Sequence, residues 1–164
     1  MSIDSVCMAM IGYFGTDVRR INQFVKVHSF AAMIGRTEQV PPETQKIIEI
    51  AALTHDIGIK LSEEKYNSAA GSYQEQEGPG EARKLLAKLN VDAVAIERVC
   101  WLIAHHHSYG DIRDIDLQIL VEADFIVNAF EDELASKSIK ALYEKLFRTR
   151  TGKALIASMY GFAG

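Results

Sequence analysis

The chain has 164 residues, 48% hydrophobic and 24% charged, enough for one domain with a buried core. Its formal charge of −4 argues against the broad basic surface of a nucleic-acid binder, while leaving room for a small phosphorylated ligand held by one or two cations. Met1 to Gly15, without a basic leader and interrupted by Asp4, reads as neither a signal peptide nor a membrane span; Cys7 and Cys100, outside any CxxC pair, fit reduced thiols in a cytoplasm.

In chain order the apolar spacing is helical almost throughout. Ile3, Val6, Met10 and Tyr13 mark a first helix over 3–14. Thr16-Asp17 caps a second, reaching about Gly35, with an inner face of Ile21, Phe24, Val25, His28, Ala31 and Ala32. After Pro41, Pro42 opens a third helix carrying Ile47, Ile50, Ala51 and Thr54, which ends at His55-Asp56-Ile57-Gly58 with Gly58 as its stop. Residues 59–78 are the least regular stretch and read as a functional loop. Pro79 starts a fourth helix, Asp92 caps a fifth that runs to the histidines, and Asp114 or Asp116 opens a sixth to about Phe130. A last helical stretch from Ser136 or Ser138 has an interruption near Gly152. No alternating run argues for a sheet. The expected class is all-α, a bundle of about six to eight helices in a single domain over 1–164.

Four residues stand out against this plain pattern. His28 shares the apolar stripe of its helix. His55 and Asp56 project about 100° apart, so both reach one ion only at a helix end, where the macrodipole favours a cation. Asp124 follows Leu117, Leu120 and Val121 on one stripe, where a carboxylate is costly unless paired or bound to metal. A shared metal accounts for all four: His28, His55, Asp56 and Asp124 are the expected ligands. In the run His105-His106-His107, helical phase from Ile96, Val99, Cys100 and Ile103 turns His106 and His107 inward and His105 away.

The order His28, His55-Asp56, Asp124 resembles the defining pattern of the HD-domain metal-dependent phosphohydrolase superfamily. Leu53-Thr54-His55-Asp56-Ile57-Gly58-Ile59-Lys60 is similar to its LxHDIGK segment, with one residue inserted before the lysine. Glu77 to Arg83 resembles its EGxxxAR stretch, Ile103 to Tyr109 its HHxY segment, and Ile119 to Asp124 its ILxxAD segment. The likeness covers about residues 20–130.

The resemblance implies a helical fold, a divalent metal (Mn, Fe, Co, Ni, Zn or Mg) held by two His and two Asp, and hydrolysis of a nucleotide or other small phosphate ester. Two-metal members place a further histidine where this chain has Gln74, Gln76 and Glu77, so Glu77, His106 and His107 are the candidates for a second ion or its surroundings. The expected catalytic residues are Asp56, to orient water or bridge metals, Lys60, to contact phosphate, and His106 and His107, to bind phosphate, donate a proton or hold a second ion. The expected partner is a small phosphorylated substrate, with no nucleic acid and no membrane. Two rival readings are a non-catalytic metal or nucleotide sensor and a di-iron oxygenase. Arg148, Arg150 and Lys153 form a basic cluster expected to be solvated.

Overall fold

Capping residues mark where the helices begin. In the computed structural model, which describes residues 2–162, the Ser2 and Ser5 side chains and backbones bond reciprocally to start α1 (Ile3–Phe14). Asp17 accepts from the Arg20 N–H at the head of α2 (Val18–Thr37), and Pro42 is the first residue of α3 (Pro42–Thr54). Next come α4 (Ile59–Tyr66) and α5 (Gly71–Lys88). Asp92 then accepts from the Val94 and Ala95 N–H groups ahead of α6 (Ala93–Ile103). The chain closes with α7 (Ile115–Glu131), α8 (Ser136–Leu146) and α9 (Arg150–Tyr160). The described residues are all-helical, as the pattern predicted, with nine helices and no strand.

The helix beyond the expected six to eight comes from residues 59–78, which are mostly helical: 59–66 form α4, and 71–78 extend the expected fourth helix backwards as the first half of α5. Pro79 starts nothing and lies inside α5. A proline there costs about 3 kcal/mol, and α5 outweighs it by packing against both α4 and α6. The final interruption falls at Phe147–Thr149 rather than near Gly152. Its cause is Glu122, fully buried, which accepts from the Arg148 N–H at 2.6 Å, the Thr149 N–H at 2.9 Å and the Gln118 amide at 2.7 Å. This carboxylate ties the start of α9 to the middle of α7. The Arg148 guanidinium donates to the Phe147 and Lys145 carbonyls, so that member of the basic cluster is held at the break.

α7 is the central helix. Twelve of its 17 residues are buried, so it is enclosed on nearly every side. α2 lies against both α7 and α3, and its buried stripe is Gln23, Phe24, Val27, Ala31 and Ile34. That phase differs from the expected one: Val25 is 40% exposed and Gln23 is 8% exposed. Burying Phe24 alone contributes about 2–3 kcal/mol. No helix among the described residues is long and apolar enough to cross a membrane.

Gly58 sets the approach of α5 to the α3–α4 junction. Its φ of −71° is ordinary right-handed backbone, so it is not a left-handed stop. What demands glycine is space: a Cβ would meet Gly78 N at 2.6 Å and the Gln74 carbonyl oxygen at 2.7 Å. Both obstacles are backbone and cannot swing aside. Gly58→Ala is therefore expected to cost about 1–3 kcal/mol in urea unfolding. Gly12→Ala, with nothing within 4 Å of the added carbon, should stabilise by up to about 1 kcal/mol in the same measurement.

Candidate metal centre

His55 and Asp56 occupy the tight connection between α3 and α4, two residues before Gly58. α3 ends at Thr54, so the pair is presented at a helix C-terminus, where partial negative charge favours a cation. The His55 Nδ1 donates to the Ala52 carbonyl at 2.9 Å, since a carbonyl oxygen only accepts. Its Nε2 therefore points the other way, 3.4 Å from Asp56 Oδ2 and 3.2 Å from Asp124 Oδ1. Asp124 arrives from the buried face of α7, and among the described residues no lysine or arginine pairs with it.

His106 completes the cluster from the turn that follows α6. Its Nδ1 donates to the Ile103 carbonyl at 2.8 Å, which aims Nε2 at Asp56 Oδ1, 3.5 Å away. That Nε2 is buried and has no hydrogen-bond partner. The ligand atoms of His55, Asp56 and His106 all lie within 4.8 Å of one another, a spacing that fits a single ion. A nitrogen lone pair left orphaned in the interior is costly unless something electropositive meets it. The donor set, two imidazole nitrogens fixed by carbonyls and two carboxylates, is what a divalent transition ion takes.

The electrostatics describe the same demand. Burial opposes a charged His55, but the Asp56 and Asp124 carboxylates outweigh it and hold the imidazole well above its usual range. Burial likewise opposes ionisation of Asp56, and His55 and His106 overcome it to hold that carboxyl well below the ordinary range. Without a metal, a proton on His55 supplies positive charge that the two carboxylates require.

His28 does not join this cluster. Its Nε2 donates to Glu49 Oε2 at 2.9 Å, forming a polar seam between α2 and α3. The expectation that it ligates with His55 is thus corrected, and the phase of α2 is the reason. The α2 residue at the cluster is Gln23. Its Nε2 lies 3.3 Å from His55 Nε2, 3.0 Å from Asp124 Oδ1 and 3.2 Å from Asn128 Oδ1. Asn128, one turn beyond Asp124 on α7, donates back to Asp124 Oδ1 at 2.9 Å. The sequence reading missed both amides. Gln23 carried a usable signal, standing four residues before Val27 and eight before Ala31 on the buried stripe.

A cleft of about 540 Å³ opens onto the cluster, a volume suited to a small-molecule ligand. Asp56, with 20% of its side chain exposed, lines it together with Gln23, Gln74 and His107. The His107 ring packs over Gly71, its backbone N–H donates to Glu75, and its Nε2 lies 3.4 Å from Gln74 Oε1. Burial, then the neighbouring His106, push its pKa down to about 4, so it is neutral near pH 7. His105 turns outward, bonded to the Trp101 carbonyl and stacked on the Trp101 ring.

Two further expectations need correction. Lys60 is exposed on α4, with its ammonium 5.5 Å from the Tyr13 ring centroid, and it does not line the main cleft. Glu77 accepts from Lys65 and Tyr66 on the outer side of the α4–α5 pair. Both errors follow from reading 59–78 as loop, because helical phase in α4 and α5 turns these side chains away. Arg19 and Arg20 are the cations that line the cleft, opposite Glu131 and Asp132.

The HD-domain family profile matches residues 20–129, two thirds of the chain. The protein belongs to the HD-domain family. A crystal structure described as a predicted HD superfamily hydrolase, from an uncultured Thermotogales bacterium, shares the fold with a TM-score of 0.70. It is 21% identical, over 97% of this chain and 85% of the other. Comparison with curated proteins gives no match. Within this HD domain, two substitutions separate the centre from the seam. His106→Ala should lower bound Mn²⁺ or Ni²⁺ per chain, measured by equilibrium dialysis with elemental analysis. His28→Ala should leave that stoichiometry unchanged and cost about 1 kcal/mol or less in stability, the scale of a partly exposed ion pair.

Proposed function

We propose that this HD-domain protein is a metal-dependent phosphohydrolase acting on a small phosphorylated substrate, a nucleotide or another phosphate ester. The observation that carries the reading is the His106 Nε2, buried, unpartnered and directed at Asp56 beside the cleft. Membership of the HD family and the likeness to a protein described as a hydrolase support it. The ligands of the proposed ion are His55, Asp56, His106 and Asp124. When bound, a divalent ion there would lower the pKa of water and polarise a phosphoryl oxygen.

The chain's own residues have separable tasks. The Ala52 and Ile103 carbonyls fix the two imidazoles, and Asn128 orients Asp124. Asp56 is the member of the cluster that lines the cleft, so it accepts a hydrogen bond from the reacting water and orients it beside the buried set. Arg19 meets the substrate's phosphate. It is 77% exposed and only loosely held by Asp132 at 3.7 Å, whereas Arg20 is committed to Asp17 and Glu63. The cleft has more carboxylates than cations of its own, which favours a substrate whose negative charge is met by the ion rather than by a basic patch. The free thiols Cys7 and Cys100 suit a reducing compartment, and we place the protein in the cytoplasm on that ground.

One observation favours a second reading. An amide, Gln23, stands beside His55 and Asp124, where the family resemblance led to the expectation of a histidine. A centre weakened in this way suits a sensor that binds a metal or nucleotide without turning it over. The two readings part in a screen of phosphorylated metabolites with added Mn²⁺, Co²⁺ or Ni²⁺. The hydrolase reading expects phosphate release that chelation stops and that Asp56→Ala abolishes while the circular dichroism spectrum is retained. Release that persists in Asp56→Ala would reject this mechanism, and silence towards every compound would leave the sensor.

The corrected position of Lys60 supplies a second test. Lys60→Ala should leave kcat and KM unchanged. Arg19→Ala should raise KM with little loss of kcat, as removal of a contact made equally in the ground and transition states does. An equal fall in kcat and kcat/KM for Arg19→Ala would place that side chain at the reacting group instead.

A further inference from the structure

Gln23 is buried beside the centre, with its amide nitrogen against two atoms that an ion would claim. Its Nε2 donates to Asp124 Oδ1 at 3.0 Å and Asn128 Oδ1 at 3.2 Å, and is also only 3.3 Å from His55 Nε2. Asp124 Oδ1 already accepts from Asn128. The amide nitrogen thus crowds against two of the atoms that an ion would claim, and an N–H aimed at a cation is repelled by it. A carboxamide resolves this conflict cheaply. Its terminal torsion is broad and roughly two-fold, and half a turn exchanges Nε2 for the acceptor Oε1. Histidine has no such exchange to offer and presents a softer nitrogen.

We propose that Gln23 selects the metal: its carboxamide oxygen turns toward the ion and biases this centre to hard, oxygen-preferring cations, Mn²⁺ or Mg²⁺, over Ni²⁺ or Zn²⁺. The proposal rests on the reading above that a divalent ion sits among His55, Asp56, His106 and Asp124. The ligand chemistry sets the direction. Imidazole suits Zn, Fe and Ni, whereas carboxylate and carbonyl oxygens suit Mg and Mn. With Gln23, the set is two nitrogens against three oxygens. With histidine at that position, nitrogen would predominate. Asn128 is the positioning residue, because it touches both the Gln23 amide and the Asp124 carboxylate.

The test is calorimetric titration of chelator-stripped full-length protein with MnCl₂ and NiCl₂, compared between the wild type and Gln23→His. Gln23→His should tighten Ni²⁺ binding on the order of 10–100-fold, the scale on which changes around a metal ligand act, with a much smaller change for Mn²⁺. Gln23→Glu keeps an oxygen and should retain Mn²⁺ binding. Gln23→Leu removes the oxygen and should weaken it about tenfold or more. Melting curves establish that each variant is folded. Co²⁺ absorption adds a spectroscopic readout, since exchanging an amide oxygen for an imidazole nitrogen shifts the visible bands. An unchanged ratio of Ni²⁺ to Mn²⁺ affinity in Gln23→His, or full Mn²⁺ affinity in Gln23→Leu, would overturn the proposal. Mn²⁺ binding by the wild type without turnover of any phosphorylated compound would sink the hydrolase reading and support this one. No ion bound by the wild type would overturn both.

Discussion

The hydrogen bonds from the Nδ1 atoms of His55 and His106 to the Ala52 and Ile103 carbonyls determine what the rest of the site is for. Each bond fixes the proton on Nδ1 and leaves Nε2 as a lone pair directed inward. Two lone pairs and two carboxylates then converge, with only Asp56 reaching the cleft. Such a group of acceptors is unstable unless protons or a cation enter it. His105 serves as an internal control. It makes the same kind of bond, to the Trp101 carbonyl, yet its ring stacks on Trp101 and faces outward. Pinning an imidazole is common; pinning two of them toward the same aspartate is what defines a centre.

The scaffold keeps that geometry by a close backbone crossing rather than by side-chain packing. Gly58 and Gly78 let α5 approach the α3–α4 junction so tightly that no Cβ fits at position 58. Ile103 then packs against Gly78, with its methyl 2.6 Å from where a Cβ would stand. The residue that closes this crossing is thus the one whose carbonyl fixes His106. On the opposite side, α7 brings Asp124 from a helix buried nearly all round, locked to α9 through Glu122. Both walls of the centre are rigid elements, which suits ligands that must be held to within a fraction of an ångström.

The legible part of the sequence was local. His55-Asp56 was readable because a helix end and two unusual residues coincide within four positions, and Asp124 because a carboxylate on a seven-residue apolar stripe is conspicuous. The all-helical class followed from spacing alone. What failed depended on helical phase across longer spans. Counting Val25 among the inner residues rotated α2 enough to bring His28 inside and leave Gln23 out. Treating 59–78 as loop removed any phase at all, so Lys60 was placed by its nearness to the helix end and Glu77 by the family resemblance, neither by direction. With the stripe drawn through Phe24, Val27 and Ala31, Gln23 falls on its edge and would have stood out as Asp124 did.

The amides at the centre carry a consequence for how binding and folding are coupled. A histidine in place of Gln23 would add a third buried group wanting a proton or an ion, and the metal-free fold would have to bear that cost. An amide bears none of it. It is neutral at every pH, donates to Asp124 and Asn128 when no cation is present, and exposes an oxygen when one is. Asn128 extends the same logic to α7, accepting from Gln23 while donating to Asp124. The centre is therefore partly self-compensated before an ion arrives. Ion binding releases less folding free energy than it would in a zinc-finger site, whose chain is unfolded without its metal. The corresponding loss is affinity: the Gln23 hydrogen bond to Asp124 must be surrendered before the metal is held.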